Sequence, residues 1–165
     1  MDTYLLDTNL VFVLYDTKRS NHDAVRQAVA ALPARAAKLV SVVTIGELCF
    51  GLALEREAGR VLSHIEACIA KTEMHPLAEI NRHTSAAFAT VKSSVALARI
   101  DINRRLPRWV EGWSDRVTGQ LLQIDENDLW IAAQAYERNY VILTADRDFT
   151  QVIAPAVQGL RVQLV

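Results

Sequence analysis

The chain has 165 residues, of which 51% are hydrophobic and 22% charged, and its formal net charge at pH 7 is −1. This length and composition are typical of one globular domain with a substantial core. The near-neutral charge excludes a basic field over the whole protein, so any contact with nucleic acid requires a local basic patch.

No stretch of the sequence has the features of a targeting or membrane segment. The N-terminus lacks a basic region followed by a long apolar run, which a secretory signal requires. No apolar run reaches the length of about 20 residues that a membrane-spanning helix needs. We therefore expect a cytoplasmic protein with no membrane partner.

The first part of the chain alternates short apolar runs with helical patterns. Residues 3–6 predict a short buried strand, and residues 9–15 predict the helix that follows it. A second helix ends at Pro33, because the residue before a proline disfavours helical backbone. Residues 38–43 predict a second strand, whose continuous apolar character suits a strand that is covered on both faces.

The middle of the chain is predicted to be largely helical. Thr44 is a suitable cap for a helix that runs to about Ala70 and is broken near Gly59. Residues 75–77 predict a weak third strand, and residues 79–99 predict a long helix after it.

The last third returns to a regular alternation after an irregular stretch. The predicted elements are a helix, a strand, a short helix and a final strand at residues 126–138, 141–144, 148–153 and 161–164. Strands that alternate with helices indicate βαβ units and a mostly parallel sheet. Since no repeat, low-complexity tract or linker interrupts the chain, we expect one α/β domain over residues 1–165.

Four acidic residues lie where predicted strands end or where neighbouring helices begin. Asp7 closes the first strand, Glu47 follows the second by one turn, Asp128 opens a helix and Asp146 closes the fourth strand. Parallel α/β sheets form their sites beyond the carboxyl ends of the strands, so these acids are expected to meet. Crowded carboxylates need a counter-charge, and Mg²⁺ and Mn²⁺ prefer oxygen ligands. The sequence therefore predicts an acidic metal site.

Each of these acids also has a structural interpretation. Asp7 is a preferred residue for capping the next helix. Glu47 lies three residues after Thr44, which is the spacing of a capping box. Asp128 lies in a first helical turn, where negative charge is favourable, and Asp146 lies in a polar turn. The four acids together favour a functional site, because small polar residues able to position carboxylates or water accompany them: Thr8, Asn9, Thr44, Asn127 and Thr144.

The residues around the acids resemble the motifs of PIN-domain ribonucleases, and the likeness is closest to VapC-type toxins of toxin–antitoxin pairs. The motifs occur in the family's order and nearly span the chain. The resemblance implies a three-layer α/β/α sandwich around a mostly parallel sheet. The matching segments are Leu-Leu-Asp7-Thr-Asn, Ile-Gly-Glu47-Leu, Asn-Asp128-Leu-Trp-Ile and Leu-Thr-Ala-Asp146-Arg-Asp.

The same resemblance implies an endoribonuclease that depends on Mg²⁺ or Mn²⁺. The acidic positions of this family match Asp7, Glu47, Asp128 and Asp146. Asp148, which lies in the same loop as Asp146, is an alternative to Asp146. We choose Asp7 and Asp128 as the metal ligands. The implied partners are an RNA substrate, a small antitoxin protein and a second copy of the chain. The supporting positions are Thr8, Asn9, Thr144 and Asp148.

A segment at about residues 99–124 is longer than in compact members of this family. Its arginines and tryptophans suit contacts with RNA, since arginine binds phosphate and aromatic rings stack on bases. Alternatively, the tryptophans pack under the domain or at a dimer contact while the arginines are solvated. We favour packing, because the segment also carries acidic residues. The arginines and tryptophans are Arg104, Arg105, Arg108, Trp109, Trp113 and Arg116.

Three other interpretations are weaker. A phosphatase of the aspartyl-phosphate kind needs a second Asp two residues after the first, where this chain has Asn9, and it needs a Lys near the fourth strand. A phospho-receiver domain needs paired acids after its first strand. A non-catalytic PIN-like module would keep a cluster of repelling carboxylates without using it.

Overall fold

The computed structural model describes residues 2–60, 63–103 and 105–165. Its centre is a sheet of five parallel strands in the order β3-β2-β1-β4-β5. This architecture confirms the predicted α/β fold and its parallel sheet. The strands are β1 (Thr3–Leu6), β2 (Ala37–Ser41), β3 (Leu77–Ala78), β4 (Val141–Thr144) and β5 (Arg161–Leu164).

Helices connect the strands, and most of their positions agree with the predicted ones. Two short helical turns, Val110–Gly112 of the 3₁₀ type and Phe149–Ile153 of the π type, lie in the last third of the chain. The helices are α1 (Thr8–Tyr15), α2 (His22–Ala30), α3 (Val42–Glu57), α4 (Ser63–Thr72), α5 (Arg82–Arg99), α6 (Glu126–Arg138) and the three-residue α7 (Ala154–Ala156).

Side chains on the central strands alternate between two cores, which makes the protein a three-layer α/β/α sandwich. Leu6 and Leu143 are fully buried in a core with residues of α1, α2 and α4. Leu5 and Ile142 face the opposite way, into a core with residues of α5, α6 and the π-helical turn. The continuous apolar character of the strands therefore follows from the helices that cover both faces.

The order of the strands creates a switch point between β1 and β4. The chain builds β2 and β3 on one side of β1, and it returns to build β4 and β5 on the other side. The backbone N–H of Asp7 donates to the carbonyl oxygen of Leu143 at 3.0 Å, so the ends of β1 and β4 lie side by side. Ligands of open α/β sheets bind in the crevice at such a point.

The start of α3 differs from the sequence prediction. Strand β2 ends at Ser41, whose Oγ accepts a hydrogen bond from the N–H of Val43 at 2.9 Å and caps the helix. Thr44 is buried inside α3, so the predicted capping box between Thr44 and Glu47 is wrong. Ser41 precedes Thr44 and is an equally suitable cap, which lets the apolar residues after it form the first helical turn.

We expect Ser41→Ala to lower the free energy of unfolding by about 1 kcal/mol, because the N-terminal N–H groups of α3 lose their side-chain acceptor. Urea unfolding of the purified chain measures this difference. Ser20→Ala, at an exposed position, is the matched control and is expected to stay within about 0.5 kcal/mol of the wild type. Equal losses in both variants would contradict the assignment of the cap.

The predicted break near Gly59 is confirmed. Gly59 has a φ of 68°, a backbone conformation that glycine adopts without steric cost, and it follows the end of α3 at Glu57. The third strand is only Leu77–Ala78, and α5 begins at Arg82 rather than at residue 79.

The segment of residues 99–124 has little regular structure but is anchored in the core. Ser114 and Leu121 form an isolated antiparallel bridge. Trp113 is buried, as the packing interpretation expects, whereas Trp109 is 59% exposed and does not pack under the domain. A dimer contact at Trp109 stays a prediction. Arg104 lies outside the described residues. Within the described ranges, no helix is both long and apolar enough to cross a membrane.

Candidate functional site

Asp7 lies at the centre of the acidic site. It follows β1 and precedes α1, but its side chain makes no capping hydrogen bond to that helix. Its Oδ2 instead accepts a hydrogen bond from Oγ1 of Thr144 at 2.9 Å, and only 1% of the residue is exposed. The structural interpretation of Asp7 as a helix cap therefore does not explain its position.

Glu47 joins three helices at the same edge of the sheet. It lies in the first half of α3, and its Oε2 accepts a hydrogen bond from the hydroxyl of Thr8 on α1. Its Oε1 accepts a hydrogen bond from Nδ2 of Asn127 on α6 at 3.0 Å. The hydroxyls of Thr8 and Thr44 lie 2.9 Å apart. These contacts fix the orientation of the Glu47 carboxylate.

Asp128 has a helix-capping role in addition to its place in the site. Its Oδ2 accepts a hydrogen bond from the N–H of Asp125 at 3.0 Å, and Asp125 Oδ1 accepts one from the N–H of Asp128 at 2.9 Å. This reciprocal pair is a capping box, formed here by two Asp residues. It leaves the other carboxylate oxygen of Asp128 outside the box.

Asp146 completes the group from the loop after β4. Its Oδ2 accepts a hydrogen bond from Nδ2 of Asn9 at 3.2 Å, and its N–H donates to the hydroxyl of Thr144 at 2.9 Å. Its Oδ1 accepts a hydrogen bond from the N–H of Asp148 at 2.8 Å. Asp146 is thus tied to the residues around Asp7, while Asp148 supports it through the backbone.

The acids are close enough to alter one another's ionisation. The pKa of Asp7 is raised to about 7, mainly by burial and to a smaller extent by the charges of Asp146 and Glu47, against the hydrogen bond from Thr144. Burial also raises the pKa of Asp128 to about 8, with further contributions from Asp125, Asp7 and Asp146. In residues 2–60, 63–103 and 105–165, none of the four acids of the site forms an ion pair with a Lys, Arg or His.

This cluster has the chemistry of a divalent-metal site but is not a ready-made cage. Among the described residues, no three or more His, Cys, Asp or Glu side chains are arranged to hold a metal ion as they stand. Mg²⁺ does not need such a cage, since it usually keeps several waters and binds through one or two carboxylates. Asp7 is buried and Asp128 is half-buried, and neither has a cationic partner among the described residues, so their chemistry fits Mg²⁺ or Mn²⁺.

A groove opens directly beside the acids. Its volume is about 680 Å³, and Asp146 and Asp148 form part of its wall. Asn9 and Asn21 add polar groups, and Arg19 adds a positive charge to the same groove. The acidic site is therefore accessible from solvent on the side of α1 and the loop that follows β4.

A five-stranded parallel sheet with a cluster of acids at its switch point defines a class of α/β proteins suited to metal-assisted chemistry on phosphoesters. Sequence comparison makes this assignment specific. The family model of the PIN domain matches residues 4–154, so the chain belongs to the PIN domain family, which is a family of nucleases. A search of curated proteins by sequence gives no significant match.

Comparison with solved structures finds the same fold in several toxin–antitoxin proteins. VapBC2 from Rickettsia felis, bound to promoter DNA, has a TM-score of 0.65 at 12% identity, with 98% of each chain covered. VapBC-5 from Mycobacterium tuberculosis, a member of a family of toxin–antitoxin systems, has 0.55 at 21% identity, covering 100% of this chain and 98% of that one. VapC20 from the same organism, a toxin that cleaves the sarcin–ricin loop, has 0.54 at 15% identity, covering 89% and 92%.

Proposed function

We propose that the protein is an endoribonuclease that hydrolyses RNA phosphodiester bonds with the help of Mg²⁺ or Mn²⁺. The observation that supports this most directly is the meeting of Asp7, Glu47, Asp128 and Asp146 at the switch point, without a described cation to balance them. Carboxylates in this condition attract a divalent ion, and membership of the PIN domain family makes RNA cleavage the reaction that fits.

Each acid has a distinct role in this proposal. Asp7 and Asp128 would hold the ion, which when bound supplies an activated water and stabilises developing negative charge. Glu47 has both oxygens fixed by hydrogen bonds from Thr8 and Asn127, so it is placed to orient the attacking water and to accept its proton. Asp146, held by a hydrogen bond from an Asn side chain on α1, completes the negative cluster.

We further propose that the chain is the toxin of a VapBC-type pair. The support is its fold, which it shares along almost the full length with VapBC proteins from Rickettsia felis and Mycobacterium tuberculosis. Under this proposal residues 1–165 act as one domain, a small antitoxin binds the chain and blocks the acidic site, and two copies of the chain form a homodimer.

The function is tested by incubating the purified chain with single-stranded RNA of mixed sequence. We expect internal cleavage in 5 mM MgCl₂ or MnCl₂ and none in EDTA, because the acids alone provide no activated water at neutral pH. Single-stranded DNA of the same sequence is the control substrate, and gel electrophoresis resolves the fragments. Cleavage that persists in EDTA, or no cleavage with either metal, would contradict the proposal.

The competing functions predict different results in the same preparation. A PIN-like interaction module would cleave no RNA and would bind no Mn²⁺ in calorimetric titration. A phosphatase would hydrolyse p-nitrophenyl phosphate, for which Asn9 offers no acid in the position that such chemistry needs. Neither alternative explains why no cation of the described residues pairs with the carboxylates of the site.

A further inference from the structure

The segment of residues 99–124 is rich in positive charge and lies near the carboxyl ends of the strands, where the four acids meet. It contains five of the chain's 18 Lys and Arg residues and three acids, whereas the whole chain has a net charge of −1. The segment leaves the C-terminal end of α5 and returns at Asp125, the cap of α6, three residues before Asp128. Arg99 also donates a hydrogen bond to the carbonyl oxygen of Gln151, next to the loop of Asp146.

This segment encloses a cavity that is separate from the groove beside the acids. The cavity has a volume of about 690 Å³. Leu106 and Trp113 provide apolar wall, while Arg105 and Arg116 provide positive charge. A site with one apolar wall and guanidinium groups suits a ligand that has flat apolar rings and an anionic chain, which describes a nucleotide in a single strand.

The frame of the cavity is held rigidly. Trp113 is buried and donates a hydrogen bond from its indole nitrogen to the carbonyl oxygen of Pro107 at 3.3 Å. Gly112 packs so closely on Pro107 that an added Cβ would lie 3.1 Å from the proline side chain. Leu122 donates a backbone hydrogen bond to Trp113 at 2.9 Å. A rigid frame lowers the entropy cost of binding.

Two acids, Asp101 and Asp115, line the same cavity as these arginines, and the side chain of Asp115 is occupied by the protein itself. Asp115 accepts hydrogen bonds from the N–H groups of Val117 and Thr118 at 2.9 and 3.0 Å. It also lies 3.6 Å from the guanidinium of Arg99. Within the part of the chain that the structure describes, Arg105 forms no ion pair, so its charge is available to a phosphate.

An aromatic surface accompanies the cavity. Trp109 is 59% exposed, and the guanidinium of Arg108 lies 4.8 Å from the centre of its indole ring. An exposed indole that carries a guanidinium on one side offers a stacking surface beside a phosphate contact, which is the combination that single-strand binders use.

We propose that residues 99–103 and 105–124 form a binding site for single-stranded RNA next to the acidic site, in which Arg105 contacts a phosphate and Trp109 stacks on a base. This inference rests on the proposed function, since it assigns the substrate of that site a second contact. It gives the segment the role of selecting single-stranded regions of RNA and holding them for cleavage.

The test measures binding apart from cleavage. Asp128→Asn serves as the background, so that the RNA stays intact, and the probe is a 12-nucleotide RNA of mixed sequence carrying a 5′ fluorescein. We expect Trp109→Ala to raise Kd at least fivefold, since one base–aromatic stack is worth about 1–3 kcal/mol. We expect Arg105→Ala to raise Kd and to reduce the slope of log Kd against log salt by about 0.7, the value of one lost phosphate contact in a single strand.

Matched controls separate these contacts from general effects. Arg35→Ala removes an exposed arginine before β2, and Met74→Ala removes an apolar side chain that is 84% exposed before β3. Both residues lie toward the amino ends of the strands, away from the four acids. Neither substitution is expected to change Kd or the slope of log Kd against log salt. Trp109 also provides a direct signal, because its fluorescence should be quenched by the RNA and should lose that response in Trp109→Ala.

The results for the two proposals can be told apart. If the wild type cleaves RNA but Arg105→Ala and Trp109→Ala bind the RNA probe with the same Kd as the Asp128→Asn background, the binding site is contradicted and the nuclease stands. If the probe binds with these losses while the wild type cleaves nothing, the nuclease is contradicted and the binding site stands. Equal affinity for a duplex of the same sequence would contradict stacking on Trp109.

Discussion

Asp128→Asn is expected to lower the rate of Mg²⁺-dependent RNA cleavage by roughly 10³-fold, which corresponds to about 4 kcal/mol of transition-state stabilisation. The carboxylate is one of two that would hold the ion, and an amide oxygen is a neutral and weaker ligand. The fold should survive, because an Asn oxygen can still accept the capping hydrogen bond from the N–H of Asp125. The measurement is kcat with a fluorogenic RNA, beside the melting temperature of the same sample.

The controls for this prediction use the same chemical change elsewhere. Asp2→Asn alters an Asp that precedes β1 and pairs with Arg161 at the far end of the sheet, so its kcat should match the wild type. Asp7→Asn should lose as much activity as Asp128→Asn. The double variant should lose little more than either, because residues that act as a unit are not additive. If Asp128→Asn cleaved RNA at the wild-type rate, the activity would come from a contaminant.

The sequence predicts the limits of α6, β4 and β5 correctly, but it misplaces β3 and the junction between β2 and α3. The runs that became β4 and β5 were bounded by polar turns, and both strands have the predicted limits of residues 141–144 and 161–164. The start of α3 was missed because Ser41 and Thr44 are both good caps. Which of them caps the helix depends on where β2 stops pairing with β3, and that is a tertiary contact.

The meeting of the four acids is predictable from the ends of the strands, but their contacts are not. The local pattern predicts Glu47 in a capping box with Thr44, whereas in the structure its carboxylate accepts hydrogen bonds from Thr8 and Asn127, 39 and 80 residues away in the chain. The sequence indicates Asn127 only as a polar neighbour of Asp128. No local pattern indicates that an amide on α6 will hold a carboxylate on α3.

The exposure of Trp109 cannot be predicted from the sequence either. Trp109 and Trp113 have similar surroundings in the chain, with glycine, proline and charged residues on either side. Of the two, only Trp113 belongs to the buried core cluster that includes Val110 and Ile124. The spacing of residues in an irregular segment does not determine which ring is buried, since no helical or strand period applies.

The metal-free protein is expected to lose stability as the pH rises from 5 to 8. Burial raises the pKa of Asp7 to about 7 and that of Asp128 to about 8, both well above the 3.8 of an exposed Asp. The folded chain therefore keeps protons on these carboxyls that the unfolded chain releases. The stability contribution is complete below about pH 4 and is lost as the pH passes through the folded-state pKa values. One such group accounts for about 2–3 kcal/mol between pH 5 and pH 8.

Mg²⁺ should reverse this loss, since an ion that binds only the folded state stabilises it, by about 2.7 kcal/mol at a concentration of 100 times Kd. Its effect should be larger at pH 8 than at pH 5, where protons compete for the same carboxyls. Urea unfolding at both pH values, with 5 mM MgCl₂ or with EDTA and NaCl at equal ionic strength, measures the two effects.

Asp7→Asn should weaken both the pH dependence and the response to Mg²⁺, because it removes one of the two titrating groups and one ligand. A metal-free wild type that becomes more stable between pH 5 and pH 8 would show that these carboxyls are already ionised and balanced in the folded protein, and the case for a metal site would then lose its electrostatic basis.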